Sequence, residues 1–262
     1  MIRALYTAAS GMSAQQLNLD TIANNLANSG TVGFRSRQLQ FQDMIYQNLI
    51  TPGAAQSQQT VSAGLQVGLG TRSTESEIIQ TQGSPNETDN PLDMEIQGNG
   101  FFQVQQPDGQ IAYTRAGNFQ LNNQGQIVDV NGNLLLPSIT IPSNATAVTI
   151  TQYGTVNATL PGQANPAQLG QIQLATFTNP GGLDSVGSNL FQATLSSGQA
   201  VLGNPGDATG VGTLQQGYLE NSNVNVVQEF VAMILAQRAY ESNSKVATAA
   251  DDMYQQVNNL VK

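Results

Sequence analysis

The 262-residue sequence contains no cysteine, no histidine and no tryptophan. The first two absences remove disulfides, thiolate nucleophiles and imidazole bases, and they leave any metal site to oxygen donors alone. A chain without cysteine also suits work outside the cytosol, where thiols oxidise. Charge is scarce as well. Asp, Glu, Lys and Arg make up 10% of the residues, against roughly a quarter in ordinary globular chains. Only eight side chains are basic, and the net charge is −9. A phosphate-binding groove needs clustered Lys and Arg, and so does a polybasic membrane patch, so neither nucleic acid nor a membrane surface is an expected partner. The longest apolar run, Phe230 to Ala236, falls far short of the ~20 residues of a membrane span. The first dozen residues lack the apolar core of a secretory signal. The expectation is a soluble chain, or one exported without a cleavable signal.

Amides fill the place of charge. There are 25 Asn and 33 Gln, so the surface is polar through uncharged groups.

The chain divides by hydrophobic period. Leu5, Ala8, Met12, Leu19, Ile22 and Leu26 follow a three-four spacing, with Gln15 in the remaining place. At the other end Val226, Phe230, Met233, Gln237 and Tyr240 do the same, and after a slip Val246, Ala250, Met253, Val257 and Leu260 resume it. Two positions in seven is the narrow seam of helix-on-helix packing. An amphipathic helix lying on a globular core carries a broader stripe. The spacing predicts helices over 4–28 and 225–260, with Asn225 as N-cap of the second and Asn28-Ser29-Gly30 as the stop of the first, the glycine supplying positive φ. Helices with Ala and Gln in their seams are marginal alone, and identical copies of the chain are the simplest further partners. The apolar residues of both seams are therefore candidate subunit-interface residues. Asn24, Asn25 and Asn28 lie mostly off the seam. They are mediocre helix formers, kept for hydrogen bonds to neighbours or to water.

Between the helices the chain reads as β structure. Phe101 to Arg115 is two alternating runs around Pro-Asp-Gly, a hairpin signal. Asn118 to Leu136 repeats the idea, and Ala147 to Leu160 and Gly170 to Phe177 supply further strands. Such short strands with Gly-rich turns predict a sandwich or barrel. Tyr46 to Gly70, rich in Gln, Ser, Ala and Gly, fits neither period and reads as an extended linker, too long for a plain connection. The fold class expected is α+β and elongated: terminal helices pairing as a coiled coil, a central all-β body and an extended linker. The boundaries are 1–30 plus 224–262 for the helical domain, 31–72 for the linker and 73–223 for the body.

Catalytic chemistry is hard to place. Glu75 and Glu77, Asp93 and Glu95, and Asp251 and Asp252 read as solvated acids rather than a converging pair with separated pKa values. Gly98-Asn99-Gly100 precedes a strand, so it is a turn and not a phosphate loop. No catalytic, cofactor or metal residue is assigned, and no enzyme activity is expected. A carbohydrate-binding module with helical ends stays open, and it needs exposed aromatics such as Tyr113, Phe119 or Tyr153.

Three stretches carry a resemblance. Ala23-Asn24-Asn25-Leu26-Ala27-Asn28 followed by Gly33-Phe34, then "GFF…YTRAGNF" in the middle, then "GYLENSNVNVVQEFVAMILAQRAYESNSK" near the end are similar to the bacterial flagellar axial proteins of rod and hook. The match runs over the whole chain, with its motifs in order. Length favours the distal-rod members over the longer hook protein, and the segment from Tyr46 and Gln47 through Pro52 and Gly53 to Ala63 resembles the stretch that sets them apart. Proximal-rod paralogues share the ends and match less well. The resemblance implies a helical homopolymer forming a hollow, straight rod across the periplasm, with the helices as inner tube, the β body outside and Tyr46–Ala63 conferring stiffness. It further implies contacts with proximal rod proteins, the hook protein and the peptidoglycan- and outer-membrane-ring proteins, export by the flagellar type III apparatus, and no cofactor. An amide-lined lumen, to which Ser10, Asn24 and Asn28 contribute, offers a passing chain neither apolar patches nor fixed charge to hold it.

Overall fold

The computed structural model describes residues 2–50, 55–56, 59–60, 64–163, 165–207 and 210–260. Two helices, α1 (Ile2–Ala27) and α2 (Val226–Leu260), enclose a β-rich middle in sequence. Contacts divide the chain into two units, one of 1–26, 37–77 and 225–262, the other of 27–36 and 78–224.

In the first unit the helices lie antiparallel. Asn25 meets Glu229 near one end, and a Cβ built on Gly11 would stand 2.7 Å from Asn243 Nδ2 further along. Asn225 caps α2, its Oδ1 accepting from the Val227 and Gln228 amides at 3.1 and 3.2 Å. Residues 37–78 form a nested hairpin. Strand β1 (Arg37–Asp43), β2 (Tyr46–Ile50) and β3 (Ala55–Gln56) lead out, and β4 (Gln59–Thr60), β5 (Leu65–Gly68) and β6 (Thr71–Ile78) lead back, pairing β3 with β4, β2 with β5 and β1 with β6. Alternate Gln, Ser and Thr side chains suit a ladder whose two faces are both wet. The described residues between Tyr46 and Gly70 are thus mostly paired strand where a linker was expected. Of the residues expected to stiffen it, Tyr46 and Gln47 stand in β2, while Pro52, Gly53 and Ala63 lie outside the described residues.

The second unit is the β body. The predicted hairpin is present: Phe101–Gln105 pairs with Ile111–Thr114 around Pro107-Asp108-Gly109. Its first strand is the centre of a nine-stranded sheet and also pairs with Leu134–Leu136 and Leu174–Thr176. Alternation divides its side chains between two cores. Phe102 and Val104 join Met94, Ile96, Phe119 and Ile172 in the main one. Phe101 joins Tyr113, Phe177 and Phe191 in the other, where rings meet edge-to-face with centroids 4.8 to 5.9 Å apart. A three-stranded sheet, Ala147–Ile150, Thr155–Thr159 and Ala167–Gln171, adds to the main core. The run Gly170 to Phe177, expected as one strand, is split between two sheets because Ile172 leaves the ladder to bond Gly154 and bury itself.

α1 ends at Ala27, immediately before the expected stop Asn28-Ser29-Gly30, but Gly30 does not take positive φ; Gly33, in the turn that follows, does, at +67°. A Cβ there would stand 2.7 Å from the main chain of Arg115 and Ala116, so both the turn and the close approach demand glycine.

Candidate functional site

Which faces do the helices turn to each other? The line buried on α2 runs Ala232, Ala236, Ala239, Asn243, Ala247, Ala250, with Glu229 at its head, all buried or half-buried. On α1 it is Ala8, Gly11, Gln15, Asn18, Ile22 and Asn25. These lines sit one residue, about 100° of helix, from much of the apolar heptad. Small side chains let the backbones approach closely and send the large ones elsewhere. Of the heptad residues, Ala8, Ile22 and Ala250 are buried, and Leu5, Met12, Leu19, Leu26 and Met233 are half-buried. Val226, Phe230, Tyr240, Val246, Met253 and Val257 are exposed, and the Leu260 side chain lies outside the described residues. Exposed beside them are Val227 at 72%, Val231, Ile234 and Leu235 at 64%. The hairpin shows the same character: Phe41, Met44, Tyr46, Leu49 and Leu65 are exposed, and Ile45 is at 83%. Contiguous apolar surface on this scale is the mark of an association surface.

The asparagines of the family motif take separate jobs. Asn25 is 2% exposed. Its Oδ1 accepts from the Arg37 amide at 2.9 Å and its Nδ2 donates to the Arg37 carbonyl at 2.9 Å and to Glu229 Oε1 at 3.1 Å. One amide thereby joins α1, β1 and the first turn of α2. Asn28 bonds within the turn after the helix, to Thr31. Asn24 is exposed, as are Ala23 and Ala27, while Phe34 is half-buried. Ser10 accepts from the Thr71 amide at 3.3 Å and so meets the hairpin.

The body has an asparagine joint of its own. Asn223 accepts from the Ser36 amide at 2.7 Å and donates to the Ile79 and Thr81 carbonyls. Beside it lies a buried ionic node that the sequence reading did not find. Glu220 is 1% exposed and sits between two buried guanidinium groups, with Arg35 at 2.8 Å and Arg115 at 3.0 Å. The Gly83 amide also donates to it at 2.9 Å. Arg115 further donates to the carbonyls of Ile96, Gly98 and Gly100. Burial, and then the Arg115 charge, lower the Arg35 pKa to about 10, with Glu220 acting the other way. Asp93 and Glu95, expected as solvated acids, are both buried. Thr88 and Asn90 donate to Asp93 at 2.8 Å, and Gln82 donates to Glu95 at 2.7 Å. Burial pushes the Glu95 carboxyl above its ordinary range, and nearby Glu220 adds to the shift. One signal was present: Arg115, among only six arginines in the whole sequence, ends the β-patterned run from Phe101, whereas Arg35, in the stretch read as linker, had none.

A cleft of about 550 Å³ opens beside this node, bordered by Arg35, Arg115, Phe101, Phe177 and Val201, with no carboxylate among the described residues that line it. Among the described residues no three Asp or Glu side chains gather into a metal site. Of the aromatics that a glycan site needs, Tyr113 and Phe119 are buried, and Tyr153 is exposed.

Paired terminal helices, a nested hairpin with apolar side chains turned outward and a β body with its own core define a structural, associating class of chain. Comparisons with known proteins give the family. Residues 5–35 match the flagella basal body rod protein model, 95–158 the flagellar hook protein FlgE/F/G D1 domain and 215–260 the flagellar basal body rod FlgEFG protein C-terminal model. The chain is 51% identical over 261 residues to flagellar basal-body rod protein FlgG of Caulobacter vibrioides, covering 99% of both. It is 40% identical over 265 residues to FlgG of Bacillus subtilis, again with 99% of both covered. It is 30% identical over 275 residues to the flagellar hook-basal body complex protein FlhP of the same organism, covering 99% of this chain and 100% of that one. The chain belongs to the flagellar basal-body rod protein family, a structural family, and is a rod subunit of the flagellar basal body.

Proposed function

We propose that this subunit builds the distal rod: a hollow, straight shaft of helically stacked copies that crosses the periplasm and joins the proximal rod to the hook. The observation that carries the proposal is the apolar face of α2, from Val227 to Leu235, with Val246, Met253 and Val257 continuing it. Within the chain the helices spend their alanines on each other, so their large side chains are left for copies. The helices then form the inner tube by coiled-coil contacts between subunits, and the hairpin, including Tyr46–Ala63, braces neighbours and stiffens the shaft. The strong likeness to FlgG proteins, over full length and at 40% to 51% identity, supports the distal over the proximal position. Ring proteins around the shaft and the type III export route through its lumen complete the reading. Electron microscopy of the concentrated protein tests it. Straight hollow filaments are expected, and a chain that stays monomeric at every concentration contradicts the proposal.

A further inference from the structure

We propose that Asn25 is a positioning residue through which the pairing of the terminal helices sets the root of the hairpin. Both arms of that link are on one buried side chain. Toward the hairpin, Asn25 engages the N–H and the C=O of Arg37, both at 2.9 Å. This double bond pattern is what a neighbouring strand offers in an antiparallel ladder, and it fixes where β1 begins. Toward α2, the same Nδ2 donates to Glu229 Oε1 at 3.1 Å, 204 residues away in sequence.

A primary amide has two N–H groups in one plane. Here one goes to each element, so the plane that satisfies Arg37 is the plane that satisfies Glu229. Displacing α2 strands a buried donor, and a buried amide that loses a partner carries the desolvation penalty of that group. Rotation to recover it breaks one of the bonds to Arg37. No other residue type combines this length with one acceptor and two donors: Asp lacks the donors, Leu lacks all three groups and Gln is one methylene longer. Asn25 therefore earns its place despite its weak helix propensity. The coupling is a property of one chain and does not depend on the rod reading, so either can fail without the other.

Hydrogen exchange read by mass spectrometry, on the full chain at a concentration where sedimentation shows monomer, tests the link. Glu229→Ala touches only α2. It is expected to speed exchange of the amides of β1 and β6 roughly three- to tenfold, the size of one lost hydrogen bond, with the Phe101–Gln105 strand unchanged. Glu229→Gln keeps the Oε1 acceptor and is expected to exchange like the wild type. Asn25→Asp, equal in size but without donors, is expected to speed both the hairpin and the first turn of α2, with circular dichroism reporting intact helices. If Glu229→Ala leaves the hairpin at wild-type rates, or if Glu229→Gln and Glu229→Ala behave alike, the proposal is overturned.

Discussion

The β body buries phenylalanines, isoleucines and leucines on both faces of its central strand, whereas the helix–hairpin unit buries mostly alanine. In the body Phe102, Phe119, Met94, Ile172 and Leu174 are sealed from solvent. Among the described residues of the helical unit the buried apolar ones are Ala8, Ala14, Ile22, Ala236 and Ala250. Fully burying a large apolar side chain contributes about 1.5–3 kcal/mol, and a methyl far less. One region is thus complete within a single chain, and the other keeps its large apolar groups on the outside. If the subunit polymerises as proposed, the division has a use: the body folds without its neighbours, and the helix–hairpin unit gains stability where copies meet.

The sharpest way to break the comparison is to damage the body alone. Glu220→Ala leaves two buried guanidinium groups without their counter-ion, and removing one partner of a buried pair typically costs about 3–5 kcal/mol. Urea denaturation of the monomer is expected to show that loss in the midpoint of the body's transition. The converse is Val231→Asp with Ile234→Asp, on the outward face of α2. Exposed helix positions change monomer stability by under about 1 kcal/mol, so the urea midpoint is expected to hold while sedimentation and microscopy show assembly abolished. Deleting Tyr46 to Ala63 is expected to leave the body's midpoint unchanged and to give curved or unassembled product in place of straight filaments.

The smallest effect is a pH slope. Glu95 is held above its ordinary value near 4.5, so the folded body binds a proton that the unfolded chain has released. Stability is then greatest below that value and declines as pH rises from it toward the raised folded pKa, levelling off above. Glu95→Gln is expected to remove this decline from the urea midpoint measured against pH, while the wild type retains it.

Much of this architecture is legible in the sequence, and the exceptions have physical reasons. Pro107-Asp108-Gly109 between alternating runs identifies its hairpin because turn chemistry and period are both local. Asn225 shows the start of α2 for the same reason. The direction each helix faces is not local. A heptad of large residues does not by itself give the seam inside one chain, where the pairing follows the one-residue offset through Ala236 and Asn243. The β1–β6 ladder hides because its alternation is short and broken: Gln38 to Gln42 and Leu65 to Val67 alternate, but β6 is almost wholly polar and exposed. Asp93 and Glu95 look like surface acids until residues as distant as Gln82 and Arg115 are brought beside them. Asn28-Ser29-Gly30 marks the end of α1, at Ala27, because a helix stop is local; that Gly33 and not Gly30 takes positive φ depends on the main chain of Arg115 pressed against it.

The central claim is that the helix–hairpin unit is completed by other copies while the body is complete alone. Hydrogen exchange across a concentration series tests it most directly. Protection of α1, α2 and β1–β6 is expected to rise steeply through the onset of assembly, with the Phe101–Gln105 and Ile111–Thr114 strands equally protected at every concentration. Helices and hairpin as protected in the dilute monomer as in the assembled material, with no dependence on concentration, would contradict it.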